Sequence, residues 1–512
     1  MNVQDGALSF LDQSDAASLT VPKTSEQVTA VYQRYNIETR YAPPRRKLPN
    51  PFKPRVRKFE LAKILLQETI RYGPKLRKKQ YRNALLSRPC IYGVFSGRFG
   101  GFHPIQERCT GCMRCVQEYP NVCSVDRNPE FYRFADSYWS SEGEATPSGS
   151  PVATVSYEAE TGKIPIKGMG YKGSFAGPEW DSIWTDMSEI VRPTRDGVYG
   201  REFISTIVDI GRKSTSLQFT DLGHSTSSRT AEIALPIIFD YLPHQLNGQS
   251  ILESIAASST RTGTFFIASP SQANQLSEAQ RSRLIPLVSN THMENDTQLI
   301  RDAQWIELEN YDVSFFEDDV RNRRKIDPDT VLSVRLPVTR KAAGMAVQLV
   351  QNGVDVIHLT ANYHGKGWDK DDPRFVKDLI REVHGRLVSE SCRDQVTLIA
   401  SGGITRAEHV PKAIICGADL VAIDTTVLVA LQSQFKGECV SSASGRIAQE
   451  TFDSKWGEQR LVNLLASWHD QLIEILSAMG IRDVRRLRGD VGRAMFNEDL
   501  EKEAFRDIER RN

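Results

Sequence analysis

The stretch QVTLIASGGITRAEHVPKAIICGADLVAIDTT, residues 395–426, decides how the chain folds. It opens on an apolar run ending at Ser401, turns through Gly402-Gly403, and carries helix-period residues to Gly417. It then returns to a second apolar run ending in Asp424-Thr425-Thr426. Strand, turn, helix and strand in about 30 residues is a βαβ unit with parallel strands. Runs that are apolar throughout, rather than alternating, fit a parallel sheet covered on both faces.

Working outward, six more runs precede these two. They are IALPIIFDY (233–241), GTFFIAS (263–269), LIPLVSN (284–290), WIELEN (305–310), VLSVRLP (331–337) and VDVIHLT (354–360). Amphipathic segments such as ILESIAASSTRTG and KAAGMAVQLVQNG lie between them, the latter closed by a glycine. Eight strand-like runs interleaved with helices predict a (β/α)8 TIM barrel over residues 232–435. An open doubly wound sheet is the alternative, but no G-x-G-x-x-G follows the first run.

The rest of the chain divides by composition. Residues 1–50 are polar and end in a proline-rich stretch, which predicts an extended arm. Between Pro51 and Asn83 stand 11 Lys or Arg against Glu60 and Glu68. This basic helical segment (51–86) is either a solvated face or a docking surface for an acidic partner or anionic membrane. A cysteine-rich segment spans 87–135, a linker and pre-barrel segment 136–231, and a charged helical extension 436–512.

Across 512 residues, 65 Lys plus Arg against 64 Asp plus Glu argue against a nucleic-acid binder. No apolar run is long enough to span a bilayer, and the N-terminus carries no secretory pattern, so a cytoplasmic protein is predicted. There disulfides are disfavoured and clustered thiols point to metal. Cys109-x-x-Cys112-x-x-Cys115 puts three thiols around one tight turn, eased by Gly111. That spacing points to an iron–sulfur cluster. Tyr119 occupies the place of the usual fourth cysteine, with Pro120 after it. Cys123 is the first candidate to replace it and Cys90 the reserve, giving a [4Fe–4S] cluster; three ligands alone fit [3Fe–4S]. A zinc site or inert thiols are the other readings.

In barrels a phosphate commonly sits between the loops after strands seven and eight. Gly402, Gly403, Thr425 and Thr426 occupy those loops, although glycines after a strand also serve as plain turn residues. Asp240, Asn290, Glu307, Asn310, Arg335, His358, His364 and Lys366 are polar candidates for the barrel mouth. Arg335, a permanent cation, either lies against the N1–C2=O edge of a flavin or forms a salt bridge to a neighbouring strand. His358 interrupts an apolar strand and reads as a core histidine or a site residue.

These residues reach a resemblance. VDVIHLTANYHGKGW, VTLIASGGITRAEHVPKAIICGADLVAIDTTVLVAL, WTDMSEIVRPTRDGVYGREFISTIVDIG and LLASWHDQLIEILSAMGIRDVRRLRG resemble the FMN-binding synthase domain of glutamate synthases, especially the short archaeal-type form. The likeness runs from about residue 180 to 490. It implies FMN held by Gly402, Gly403, Thr425 and Thr426, with Arg335 where the family usually has lysine. The chain departs from the family after strand one (Tyr241-Leu242-Pro243-His244), after strand four (NYDVSFF) and after strand six (NYHGKGWDKDD). After strand eight only Cys439 remains of the family's cysteine cluster. The expectation is therefore a flavin- and iron–sulfur-dependent oxidoreductase acting on CH–NH2 donors. Arg335, His364, Lys366 and Glu307 are its candidate catalytic residues, and a ferredoxin or other redox protein its partner. The alternative is a non-catalytic electron-transfer or assembly subunit; either way an oligomer or complex subunit is expected.

Overall fold

The structure is a computed structural model that describes residues 35–46, 49–72, 90–96, 101–131, 149–164, 178–185, 203–213 and 229–242. It further describes 248–289, 299–300, 303–309, 330–369, 371, 373–436, 446–500 and 502–503. The chain divides into two compact units, Met1–Asn36 and Ile37–Asn512. Only Tyr35 and Asn36 of the first are described, and all the described secondary structure belongs to the second.

Eight parallel strands close into a barrel in sequence order. They are β1 (Ile237–Phe239), β2 (Phe266–Ala268), β3 (Leu284–Ser289), β4 (Trp305–Glu309), β5 (Val331–Pro337), β6 (Val356–Thr360), β7 (Thr397–Ser401) and β8 (Leu420–Ile423). Closure comes from β8 pairing with β1, with Val421 opposite Ile237. Each predicted run contains one of these strands. The runs are apolar throughout because strands of a closed barrel pack side chains on both faces, inward in layers and outward against helices. The glycine foreseen as a helix stop, Gly353, serves that role, and Gly263 does the same one helix earlier. Gly263 (φ 67°) follows helix Gln249–Thr262, and Gly353 (φ 89°) lies just beyond helix Ala342–Gln351.

The first run divides between two structures. Its Ile233 ends a strand, Arg229–Ile233, antiparallel to Val208–Arg212. This hairpin meets the barrel at the N-terminal ends of its strands. The Gly211 N–H donates to Thr397 Oγ1, and that hydroxyl donates back to the Gly211 carbonyl, both at 3.0 Å.

Outside the barrel, the 25-residue helix Ser454–Ala478 packs against Gln249–Thr262 and against Gly149–Thr161. The second of these begins within the stretch expected as a linker. It buries Glu158, which accepts from Trp468 Nε1 (2.9 Å) and Gln471 Nε2 (2.8 Å). The proline-rich approach, 37–46, has no regular structure and is strapped to the long helix. There Asn463 Nδ2 donates to the Arg40 carbonyl (2.7 Å), and Trp456 Nε1 to that of Pro43 (2.8 Å).

The segments delineated as 51–86 and 87–135 share a second, smaller core. Strand Phe52–Val56 pairs antiparallel with Cys123–Arg127, and helix Lys58–Tyr72 lays Leu61 against Val94, Phe95 and Val122. At roughly 1.5–3 kcal/mol per fully buried large apolar side chain, so few residues make a thin core. Cys90, Cys115 and Cys123 are buried within it. No helix among the described residues is long and apolar enough to cross a membrane.

Candidate active site

Four side chains from four strands meet inside the barrel. Arg335 on β5 donates through Nη1 to Asp240 Oδ1 (2.7 Å) and Glu307 Oε1 (3.0 Å), and through Nη2 to Asp240 Oδ2 (3.2 Å). His358 on β6 places Nδ1 at 3.1 Å from both Glu307 oxygens. Its Nε2 has no hydrogen-bond partner, the nearest acceptor being Asp240 Oδ2 at 3.9 Å. Asp240, Glu307 and His358 are buried, and only 16 % of the Arg335 side chain is exposed. Of the two readings of Arg335, the salt bridge is the one found, to β4 and to the end of β1. Its charge is compensated twice over.

Charges in such a place shift one another. Burial would raise the Asp240 and Glu307 carboxyls, but Arg335 and His358 more than offset it and hold both below the ordinary range. Burial would lower Arg335; the two carboxylates raise it instead. Asp424, at the end of β8, goes the other way. Burial and then the negative Asp240 push it up to about 6, opposed by hydrogen bonds from Thr425. A carboxyl that keeps its proton toward neutrality thus sits beside one that does not. Residue 424 stood at the end of a predicted strand, but nothing in the sequence signalled a proton-holding role.

The loops after β6, β7 and β8 interlock. Gly402 (φ 92°) and Gly403 (φ 69°) occupy left-handed backbone. A Cβ on Gly402 would lie 2.6 Å from the Asn362 carbonyl oxygen, and one on Gly403 would lie 2.7 Å from Gly365 Cα. The neighbouring loop by itself therefore demands glycine at both positions. Thr426 Oγ1 donates to the Ile404 carbonyl (2.6 Å), and Thr425 Oγ1 to Asp424 Oδ1 (3.1 Å). Both hydroxyls expected at a phosphate thus bond within the protein. Among the described residues, the N–H groups of Gly403 and Ile404 donate to no protein acceptor.

His364 is half-buried and Lys366 exposed, and neither joins the Arg335 cluster. Their N–H groups both donate to Asn362 Oδ1 (2.9 Å), which shapes the β6 loop. A brace that sequence reasoning missed comes from far upstream. Trp180 Nε1 donates to the Gly403 carbonyl (3.1 Å), and its ring stacks on His409 with centroids 5.6 Å apart. Burial holds His409 well below its ordinary pKa, leaving a neutral Nδ1 to accept from the Thr405 N–H (3.1 Å). Asn290, Asn310, Cys439 and the β1 loop at Pro243-His244 lie outside the described residues.

The second constellation lies in the small core. Cys90, Cys109, Cys112 and Cys115 line one small surface hollow. Gly111 (φ 72°) and Met113 (φ 59°) turn the backbone through left-handed conformations around Cys112, and Cys115 follows on helix Arg114–Glu118. A Cβ on Gly111 would enter the Phe52 ring. A hydrogen bond from Cys123 pushes the Cys115 thiol down to about 7, whereas burial pushes Cys109 up to about 11. Among the described residues no three His, Cys, Asp or Glu side chains converge on one point as a single ion requires; the thiols ring a space.

Fold and sites together define a (β/α)8 barrel with a charged centre, joined to a small cysteine-lined module. Residues 286–482 match the family model for the conserved region in glutamate synthase. The archaeal-type glutamate synthase (NADPH) of Dehalococcoides mccartyi is 23 % identical over 448 residues, covering 75 % of this chain and 86 % of that one. The archaeal glutamate synthase (NADPH) of Archaeoglobus fulgidus is 22 % identical over 450 residues, covering 75 % and 85 %. That of Methanocaldococcus jannaschii reaches 31 % over 172 residues, or 31 % of this chain and 33 % of its own. A mutant flavocytochrome b2 with pyruvate bound superposes with a TM-score of 0.40 at 12 % identity, covering 71 % of this chain and 82 % of its own. Over about three quarters of its length the chain is similar to short, archaeal-type glutamate synthases.

Proposed function

We propose that this chain is an FMN-dependent oxidoreductase of glutamate synthase type that exchanges electrons with an iron–sulfur cluster in its small module. One observation carries the reading: the unpaired N–H groups of Gly403 and Ile404, in the loop between β7 and β8, fit a phosphate. The loop is rigid before anything binds, because Trp180, Thr426 and the β6 loop hold it, and a preorganised loop loses little entropy on binding. Bound there, FMN supplies two-electron chemistry on an organic substrate and one-electron exchange with a cluster. Cys109, Cys112 and Cys115, with a fourth thiol, have the donor chemistry an iron–sulfur cluster needs.

The chain's own groups divide the remaining work. Arg335, Asp240, Glu307 and His358 fix the polarity of the barrel centre. Two carboxylates face the one guanidinium, so Arg335 presents far less positive field to a flavin than a free cation would. Asp424 holds a proton close to neutral pH and can deliver it at the mouth. A substrate with a CH–NH2 group, and a redox protein docking on the basic segment around Arg55–Lys63, complete the proposal. A second reading, an electron-transfer or assembly subunit without a substrate, is favoured by the internal pairing of that centre.

Anaerobic purification followed by acid release tests the proposal. FMN and iron in the same preparation are expected. FAD, or no flavin, overturns the FMN assignment. Screening amino and oxo acids for reoxidation of the reduced flavin separates the two readings, since the subunit reading predicts that none reacts.

A further inference from the structure

We infer that the fourth cysteine of the cluster site is Cys90, and that Thr110 serves behind it as a hydrogen-bond donor. This rests on the iron–sulfur reading above and reverses the order of preference that sequence spacing suggested.

The hollow decides between the two cysteines. Cys90 lines it together with Cys109, Cys112 and Cys115, whereas Cys123 does not. Cys123 is pinned elsewhere. It opens the strand Cys123–Arg127 opposite Val56, its N–H donates to the Tyr119 carbonyl (2.9 Å), and it is 2 % exposed. Its side chain packs in the small core and is not among those that line the hollow. Cys90 begins a turn whose Val94 carbonyl accepts from the Ile105 N–H (2.8 Å). That bond ties the Cys90 loop to the segment leading into Cys109. Four thiols around a space, instead of four on a point, suit a polynuclear group with one thiolate per iron.

Thr110 supplies an independent observation. It lines the same hollow, and its Oγ1 is buried with no hydrogen-bond partner. A buried hydroxyl without a partner is costly. Donation to a sulfide or thiolate sulfur in the hollow would satisfy it. Hydrogen bonds to cluster sulfurs withdraw charge and favour the reduced form.

The test uses the full chain, reconstituted anaerobically with iron and sulfide, in wild-type, Cys90→Ser, Cys123→Ser and Thr110→Val forms. Iron and sulfide content, electron paramagnetic resonance and midpoint potential are read for each. Cys90→Ser is expected to lose the cluster or hold only a three-iron form. Cys123→Ser and Thr110→Val should both keep wild-type iron content, and Thr110→Val, which loses the donor, should shift the potential negative. FMN content of the same preparations reports whether the barrel is folded. Adding an external thiol to Cys90→Gly, which leaves room for it, should restore iron if the position is a ligand. Full iron in Cys90→Ser, or loss of iron confined to Cys123→Ser, overturns the assignment alone. A wild-type chain that takes up no iron overturns the iron–sulfur reading and the assignment with it.

Discussion

Two regions of the barrel interior, the centre at β1, β4, β5 and β6 and the rim at β7 and β8, treat their polar groups differently. At the centre, Arg335 saturates two carboxylates and Glu307 also meets His358, so the charges answer one another inside the protein. At the rim, the Gly403 and Ile404 N–H groups have no acceptor among the described residues, and burial and the negative Asp240 push the Asp424 carboxyl up to about 6. The centre leaves His358 Nε2 without a partner, whereas the rim leaves two backbone N–H donors of the kind the proposed phosphate would take. Polar groups in a folded interior thus separate into those that hold the fold and those held ready by it.

The largest expected effect breaks the centre. Glu307→Gln keeps the shape but removes the charge shared by Arg335 and His358. Removing one partner of a buried pair costs about 3–5 kcal/mol, read as a lower urea midpoint. A cost under about 1 kcal/mol would mean that the centre, like the rim, is unfinished until something binds.

Asp424→Asn works in the opposite direction. The folded carboxyl titrates near 6 against 3.8 for a free aspartate. The folded chain therefore binds the extra proton between those values, and stability falls as pH rises through that window. Above about pH 6 the penalty is complete, about 3 kcal/mol by the linkage rule. Asparagine cannot ionise and still accepts from Thr425. Its stabilising effect should grow from nothing near pH 4 to a plateau above pH 6. A pH-independent difference would show that Asp424 is not the titrating group.

Gly403→Ala probes the rim's backbone. A left-handed alanine, with its Cβ 2.7 Å from Gly365 Cα and 2.9 Å from Gly365 N, forces the β6 and β7 loops apart. The expected cost is about 2 kcal/mol, with a weakened FMN complex. A variant of wild-type stability and affinity would mean that the two loops move independently.

Much of this was legible in the chain itself. The eight strands follow from β-branched runs, and the helix stops from Gly263 and Gly353, because both are local properties of backbone and side chain. The candidates Asp240, Glu307, Arg335 and His358 could each be placed near the mouth by strand position. Which of them would pair could not, since closure sets those distances across 95 residues for Arg335 and Asp240. The proposed fourth ligand shows the same limit: spacing favours Cys123, whereas the proposal of Cys90 rests on which thiols line one hollow. Helix Gly149–Thr161 was hidden because its Ser/Gly/Pro beginning reads as linker and its buried Glu158 as a surface residue. Trp180 carried no local signal at all; its partner is 223 positions away.

Trp180→Phe carries the smallest expected effect and bears most directly on the rim. Phenylalanine preserves the ring against His409 and the edge contact to Phe375, whose centroid lies 5.3 Å away, so packing changes little. What disappears is the Nε1–H donated to the Gly403 carbonyl. One neutral hydrogen bond contributes about 1 kcal/mol, and the stability loss should be of that size. If the bond's role is to hold the loop ready, the same free energy should appear in ligand binding, as a roughly fivefold weaker FMN complex. Titration of the apo-protein with FMN, followed by flavin fluorescence, reads this beside the urea midpoint. A lower midpoint with unchanged affinity would assign Trp180 to the fold, leaving Thr426 and the β6 loop to preorganise the rim. A larger loss of affinity than of stability would mean that the brace acts mainly when the rim is occupied.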